Sequence, residues 1–422
     1  MIVAAFPKYD SYKPTGIEWV PEAPEHWEVV PITAAARVVS EANQPALELL
    51  SVYLGRGVIR FSDVDEKRTN ATSTDLSKYQ VVRPGNLVLN NQQAWRGSVG
   101  VSSYTGIVSP AYIVLDFTYG FDPRFADYYF QTPTTVAHFL ISSKGVGTIQ
   151  RNLYWPALRR CPITIPPLSE QRAIAAFLDD KCSKIDEAVR IKEEQIKLLR
   201  ERRQILIQQA VTRGLNPDAP MKDSGIDWIG QIPAHWEVRS LRYAFRFRNN
   251  QRIPLSGSER EHMRGEYPYY GASGIIDYVV DYIFDEDLIL IAEDGANLLS
   301  KSTPLAFVAR GKYWVNNHAH ILEPLFPGFE YWAETLSAVD YTTYISGSAQ
   351  PKLTRDRLGS VRVPVPPLDE REKIIEVIKQ QSAKFRNAIA IKENQITALK
   401  EYKTTLINAA VTGKIKITED ML

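Results

Sequence analysis

Residues 166–214 and 366–414 repeat one another at a constant offset of 200 residues without a gap. The first copy reads PPLSEQRAIAAFLDDKCSKIDEAVRIKEEQIKLLRERRQILIQQAVTRG, and the second reads PPLDEREKIIEVIKQQSAKFRNAIAIKENQITALKEYKTTLINAAVTGK. A shorter phrase also occurs twice. Residues 13–29, ending GIEWVPEAPEHWEV, and 222–238, ending GIDWIGQIPAHWEV, are identical at 9 of 17 positions. Repeats of this kind fix the architecture before any local reading. Each half runs from a leader through a variable block to a long helical block. The variable blocks, roughly 30–165 and 239–365, share little except their last stretch, where GTIQRNLYWPAL and GSAQPKLTRDRL match at Gly, Gln and two Leu. A duplicated frame around diverged inserts suggests one scaffold holding two different readers.

The expected segments are a first domain, 1–165, with its leader at 12–29, and a first long helix, 166–214. A second domain, 215–365, follows with its leader at 221–238, then a second long helix, 366–414, and a tail, 415–422. Pro-Pro entries, a capping box at Asp369 and Glu372, and Gly214 and Gly413 past the ends mark the helix limits. Inside each helix, apolar residues recur with 4-3 spacing. The first seam is Leu178, Cys182, Ile185, Val189, Lys192, Ile196, Leu199, Arg203, Leu206 and Ala210. The second is Ile378, Ser382, Phe385, Ile389, Lys392, Ile396, Leu399, Lys403, Leu406 and Ala410. The basic interruptions fall at the same two places in both. From Leu178 to Ala210 a helix rises about 48 Å. Neither stripe is stable on a charged body alone, so the two helices are expected to pair as an antiparallel coiled coil. Lys192 and Lys392 would then lie close together near its middle. The other reading has each helix packing on its own globular domain. The predicted fold class is two α/β (α+β) recognition domains in a pseudo-two-fold arrangement, separated by that coiled coil.

A chain of 422 residues exceeds one ordinary core, and 44% apolar with 23% charged residues is a globular composition. Cys161 and Cys182 make no disulfide framework, the start MIVAAFPKYD does not read as a signal peptide, and no apolar run reaches the ~18 residues that span a bilayer. A cytoplasmic location is expected. The net charge of +1 means that any nucleic-acid surface has to be local. Phosphate-loop, dinucleotide, nucleophile-elbow and (Asn/Asp)-Pro-Pro-Tyr motifs are absent. His318 and His320 of NNHAH have strand spacing for a metal, yet no third ligand lies nearby, and a polar cluster is the plainer explanation. No metal site is expected.

In this order and at these spacings, the GIDWIGQIPAHWEV leader, the PPLSEQ and PPLDER entries, the IKEEQI and IKENQI helices and the QQAVTRG and NAAVTGK endings carry a resemblance over essentially the whole chain. YPYYGASGIIDYV and LILIAEDGANL add to it. The chain resembles the specificity (S) subunit of type I restriction-modification systems. The resemblance implies a non-catalytic protein with two target-recognition domains, each reading half of a bipartite site on double-stranded DNA. It implies two helices that act as a ruler for the unspecified spacer. Two methyltransferase subunits would dock on the frame and use S-adenosylmethionine. Motor-nuclease subunits would join them, with ATP and Mg as their cofactors. No cofactor is expected in this chain. Unlike one subgroup of the family, the central helix carries no short tandem repeat.

Base edges are read by Arg, Lys, Asn, Gln and similar groups, and phosphates by basic and small polar ones. In the first block the candidates are Asn91, Gln92, Gln93 and Arg96 of NNQQAWRGSVG, for which a solvated hairpin loop is the other reading. Lys144, Thr148, Gln150 and Arg151 lie among glycines that suit close approach to a phosphate. In the second block, RSLRYAFRFRNNQR offers Arg246 and Arg248, either at phosphates or on the solvent side of an amphipathic strand. Ser273, Asn297, Asn317, His318, Gln350 and Lys352 occupy polar loops. Asp294 suits cytosine N4, although an Asp before Gly295 also forms a turn. Trp19, Trp27, Trp228 and Trp236 of the leaders suit a packed joint between reader and helices, and a surface for the methyltransferase subunits. The rival to the whole reading is a coiled-coil scaffold that organises protein partners without reading DNA. A self-contained modifying enzyme is the other, and the missing motifs argue against it.

Overall fold

A computed structural model of the chain describes residues 6–64, 75–118, 120–146, 150–347 and 350–421. The fold separates into two compact units: 1–192 with 394–422, and 193–393. Each unit therefore holds one reader block and half of each long helix.

In the first unit, four antiparallel strands lie in the order Ala36–Val39, Ile113–Phe117, Leu87–Leu89, Val99–Val101. Alternation along Leu87–Leu89 sends Leu87 and Leu89 into the main core and Val88 into a smaller cluster with Leu50, Val52 and Val114. The strand is therefore buried on both faces. The main core is closed by two helices, Pro123–Gln131 and Pro133–Ile141. Asp122 caps the first through the Arg124 and Phe125 amides, and Thr132 caps the second. The leader's last strand, Glu28–Pro31, pairs antiparallel with Pro162–Ile165, just ahead of the long helix.

The second unit follows the same plan despite its different sequence. Its four-stranded sheet runs Phe245–Phe247, Ala319–Pro324, Leu288–Ala292, Ala306–Ala309. The helix Phe329–Ala338 covers it, and Glu237–Ser240 pairs with Arg362–Val365 as the leader does in the first unit. Leu158 and Leu358, which the sequence places at matching offsets, are fully buried in their respective units. A second sheet, Gly274–Val279, Arg264–Gly271, Lys312–Val315 and Phe284–Asp285, has a small core around Tyr313, Val315 and Ile321. Its antiparallel, parallel, antiparallel order is that of Gly57–Arg60, Leu50–Tyr53, Gly106–Val108 and Gln80–Val82 in the first unit, where Leu49 bridges Ile107 in parallel.

The long helices span Leu168–Arg213 and Leu368–Val411. In the first unit the start of one, at Ile174, Leu178 and Ile185, shares a core with the end of the other, at Leu406, Ala410 and Val411. In the second unit Ile207, Ala210 and Val211 share a core with Ile374 and Ile378. The pairing is antiparallel in both, as the 4-3 seams and the symmetry of the repeat predict. Val189 and Ile196 are buried, and Leu199, Leu206, Phe385, Ile389, Ile396 and Leu399 are half-buried, as are Lys192 and Lys392. The seam's basic interruptions have polar answers. Arg203 donates from Nε to Ser382 Oγ at 3.1 Å, and Lys403 Nζ lies 2.7 Å from both carboxylate oxygens of Asp186. Among the described residues, no helix is long and apolar enough to cross a membrane.

Candidate nucleic-acid interface

Each unit joins its leader to the helix pair in the same way. Trp27 is fully buried and donates from Nε1 to Glu170 Oε1 at 3.1 Å, in the first turn of the first long helix. Its ring covers Gly413, just past the end of the second, where Cη2 lies 3.2 Å from the point a Cβ would occupy. In the second unit Trp236 donates to Glu370 Oε2 at 2.9 Å and covers Gly214, with Cζ2 3.1 Å from the equivalent point. Both glycines have φ near +70°, 73° at Gly413 and 74° at Gly214, which closes a helix end without the strain of a side chain. His26 contacts Glu170 at 2.8 Å and His235 contacts Glu370 at 2.5 Å. One tryptophan thus clasps the beginning of one helix to the end of the other. Glu170 and Glu370 escaped the sequence reading, although a glutamate two residues into both helices was the available signal. Beside the clasps lie cavities of about 310 Å³, lined in part by Tyr9, His26, Glu170 and Lys416, and about 230 Å³, lined by Arg213, His235, Glu370 and Lys373. Trp19 and Trp228 are half-buried, with Trp19 edge-on to His138 at 4.7 Å.

The first unit's candidates converge. Asn90–Gly97 is a tight turn after the buried strand Leu87–Leu89, held by Gln93 and Ala94 amides on the Asn90 carbonyl. Leu153 N donates to the Asn91 carbonyl at 3.1 Å, tying this turn to the hairpin of Ser143–Val146 and Gln150–Leu153. Asn91, Gln92, Gln93 and Arg96 are thereby brought beside Lys144 and Arg151. Gln92, Arg96 and Lys144 are exposed, and aromatic rings brace two of them. The Arg96 guanidinium lies 4.5 Å from the Trp95 ring centre, and Lys144 Nζ lies 3.5 Å from that of Tyr154. Asn91 Oδ1 is buried without a hydrogen-bond partner. Gln150 pairs through its backbone with Val146, and Thr148 lies outside the described residues.

In the second unit four loops meet. Arg252 Nη1 donates to Glu293 Oε2 at 2.7 Å and to the Ala319 carbonyl at 2.7 Å, while Lys352 Nζ is 3.5 Å from Glu293 Oε1. Burial alone would raise the Glu293 pKa, but Arg252, His320 and Lys352 around it hold its carboxyl below the usual range. Leu353 N donates to the Glu293 carbonyl, and Asp294 and Lys352 form a bridge. Asp294 takes His318 Nδ1 at 2.8 Å. His320 is buried and its tautomer follows from its neighbours. Asn249 Oδ1 accepts from Ile321 N, so Asn249 Nδ2 donates to His320 Nδ1 at 2.8 Å. His320 Nε2 then donates to the Leu353 carbonyl at 2.7 Å. Burial also lowers its pKa, favouring this neutral form.

Asn317, His318, Gln350 and Lys352 are exposed on this surface, and Ser273 caps a neighbouring hairpin. Asn297 is spent on its own loop: Nδ2 donates to Thr303 O, and Oδ1 accepts from Thr303 N and Ser302. Arg246 pairs with Glu323 at 3.0 Å, and Arg248 with Glu323 at 2.9 Å and Glu286 at 3.0 Å. The half-buried supports Asn249, Arg252 and Glu293 were not singled out from the sequence, since nothing in RNNQR or AEDG shows which charge faces inward, whereas the NNHAH spacing already puts His320 in a polar cluster.

Residues 233–401 match the family model described as the type I restriction modification DNA specificity domain. The type I restriction enzyme MjaVIII specificity subunit of Methanocaldococcus jannaschii is 22% identical over 440 residues, covering 93% of this chain and 94% of that one. A chain solved in a study of complex assembly and conformational transition of the type I R-M system has the same fold, with a TM-score of 0.65 and 16% identity over 92% of this chain and 98% of its own. The domain match and the full-length similarity support a type I restriction-modification specificity subunit. A Haemophilus influenzae "Putative type I restriction enzyme specificity subunit" is 36% identical over 139 residues, 32% of this chain, and the match spans about a third of that relative, 34%. The chain itself pairs a repeated frame, the clasped helices, with two dissimilar polar faces.

Proposed function

We propose that the chain is a non-catalytic reader that gives a type I methyltransferase and restriction complex its DNA sequence. Each unit reads one half of a bipartite duplex site. The helix pair sets an unspecified spacer, with half-sites about one helical turn apart. The clasp regions hold two adenine methyltransferase subunits, through which motor-nuclease subunits join. S-adenosylmethionine, ATP and Mg act on those partners. What carries this reading is the contrast within the chain: two units with one strand order and one clasp, but different polar side chains on their loop faces. A duplicated frame is what two copies of one partner need, and different faces are what two half-sites need.

Many arginines already hold carboxylates, so the isolated chain binds DNA weakly and with strong salt dependence, and the partners complete the grip. The test is exchange of residues 30–165 for the corresponding block of a relative, followed by single-molecule sequencing of methylated adenines. The expected outcome is a split motif in which one half changes and the other stays. A scaffold without DNA reading would leave the methylation pattern unmoved.

A further inference from the structure

The hairpin of Arg264–Gly271 and Gly274–Val279 ends in an apolar tip. Gly271 pairs with Gly274 across the two-residue turn Ala272–Ser273, and Tyr270 pairs with Ile275 while Tyr269 pairs with Asp277. Ile276 is skipped, so two residues of one strand oppose one of the other. Such a bulge breaks the alternation that would otherwise send neighbouring side chains to opposite faces. Ile275 and Ile276 remain 46% and 53% exposed. Ile276 also lies against Gly271, where a Cβ would meet Ile276 Cγ2 at 3.0 Å and Asn316 Nδ2 at 3.4 Å. The tip is therefore continuous with the polar face. Asn316 N donates to Tyr270 O, Asn316 Oδ1 accepts from His318 N at 2.8 Å, and His318 holds Asp294. Two β-branched apolar side chains next to Ser273, Asn317 and His318 are costly to leave in water and contribute nothing to the unit's own core.

We infer that this hairpin enters the major groove of the half-site read by the second unit, with Ile275 and Ile276 packed on thymine C5-methyl groups. The inference rests on the proposed reading of this unit as a DNA reader. A two-stranded ribbon fits the major groove, and the thymine methyl is the one apolar group that a base pair presents there. The neighbouring polar groups serve the adjacent base edges, so the tip adds discrimination that hydrogen-bonding side chains cannot supply. Tyr278 and Val280, 49% and 59% exposed, continue the apolar edge away from the turn. A protein partner on that edge is the competing occupant.

The experiment uses the chain assembled with its methyltransferase subunits and duplexes carrying the mapped motif. Each thymine of the second unit's half-site is replaced in turn by deoxyuridine, which removes only the methyl. Wild type loses about four-fold in affinity at one or two positions, the value of burying one methyl group. Ile275→Ala/Ile276→Ala and Ile276→Ala, at exposed positions that leave the core intact, lose affinity on thymine DNA and become indifferent to deoxyuridine there. Variants that bind as wild type, or that keep its deoxyuridine response, overturn the inference. So does a half-site without thymine, or a loss confined to methyltransferase assembly. A wild-type complex that methylates no split motif overturns the underlying reading instead, and this inference with it.

Discussion

At Trp27 and Trp236 the two halves of the chain make the same bond to the same glutamate position and cover the same helix-end glycine, whereas their loop faces share almost nothing. The first face is built from an amide-rich turn with Arg96 and Lys144 braced on aromatic rings. The second is built on a largely buried ion pair, Arg252–Glu293, flanked by the exposed Lys352, beside an Asp294–His318 pair. The clasp is constrained by geometry on every side: a buried indole, a half-buried carboxylate partner and a glycine whose conformation and neighbours disfavour a side chain. The faces are constrained only by what they touch. Divergence has gone where the fold permits it.

Breaking a clasp has the largest expected effect. Trp236→Ala removes a fully buried indole and strands Glu370, at a cost of about 3–5 kcal/mol. Thermal unfolding should show it, and so should the equivalent Trp27→Ala. The assembled complexes that survive should methylate an unchanged motif. A changed motif in either variant would move the tryptophans from frame to reader. Next in size is Arg252→Ala. Its side chain is 16% exposed and that of Glu293 14%, so removing the guanidinium leaves a largely buried carboxylate with Lys352 as its remaining cation, at a cost of about 2–4 kcal/mol. Its effect on methylation should fall on the second half-site alone. Equal loss at both half-sites would mean that the network is global scaffolding and that the contrast between the faces is misplaced.

How much of this was legible in the sequence follows from the same contrast. The helix pair could be read because 4-3 periodicity and an ungapped offset of 200 residues repeat over dozens of positions. Glycine 413, glycine 214 and the leader tryptophans could be read as helix ends and joints because only a few residue types fit there. The shared four-strand order of the two readers could not, because strands such as Leu87–Leu89 and Leu288–Ala292 need only apolar residues and keep no particular spelling. The polar faces were half legible. Asn297 is held by Thr303 within its own loop, and Arg246 and Arg248 pair with Glu323, a partner more than 70 residues away that leaves no local mark. Conversely Arg252 and Glu293 look like ordinary surface charges until the fold buries them against one another.

The smallest expected effect contrasts the two buried histidines. His320 has both ring nitrogens engaged, by Asn249 and Leu353, whereas His138 Nδ1 is buried without a partner and its ring packs on Trp19. Burial lowers the pKa of both, that of His138 to about 4. Because the unfolded chain titrates near the ordinary histidine value of about 6.5, it binds the proton that folded His138 refuses throughout the window from 6.5 down to 4. Stability therefore falls as pH drops through that window, by about 2–3 kcal/mol at its lower end. For His320 the same sign holds, with Glu293 and the Leu353 carbonyl partly offsetting the cost of charging it. His138→Phe removes the titration and keeps a ring against Trp19, so its unfolding midpoint should fall less steeply than wild type between pH 6.5 and 4. Parallel curves for the two proteins would show that His138 charges without penalty in the fold, and would place the acid sensitivity in the second unit.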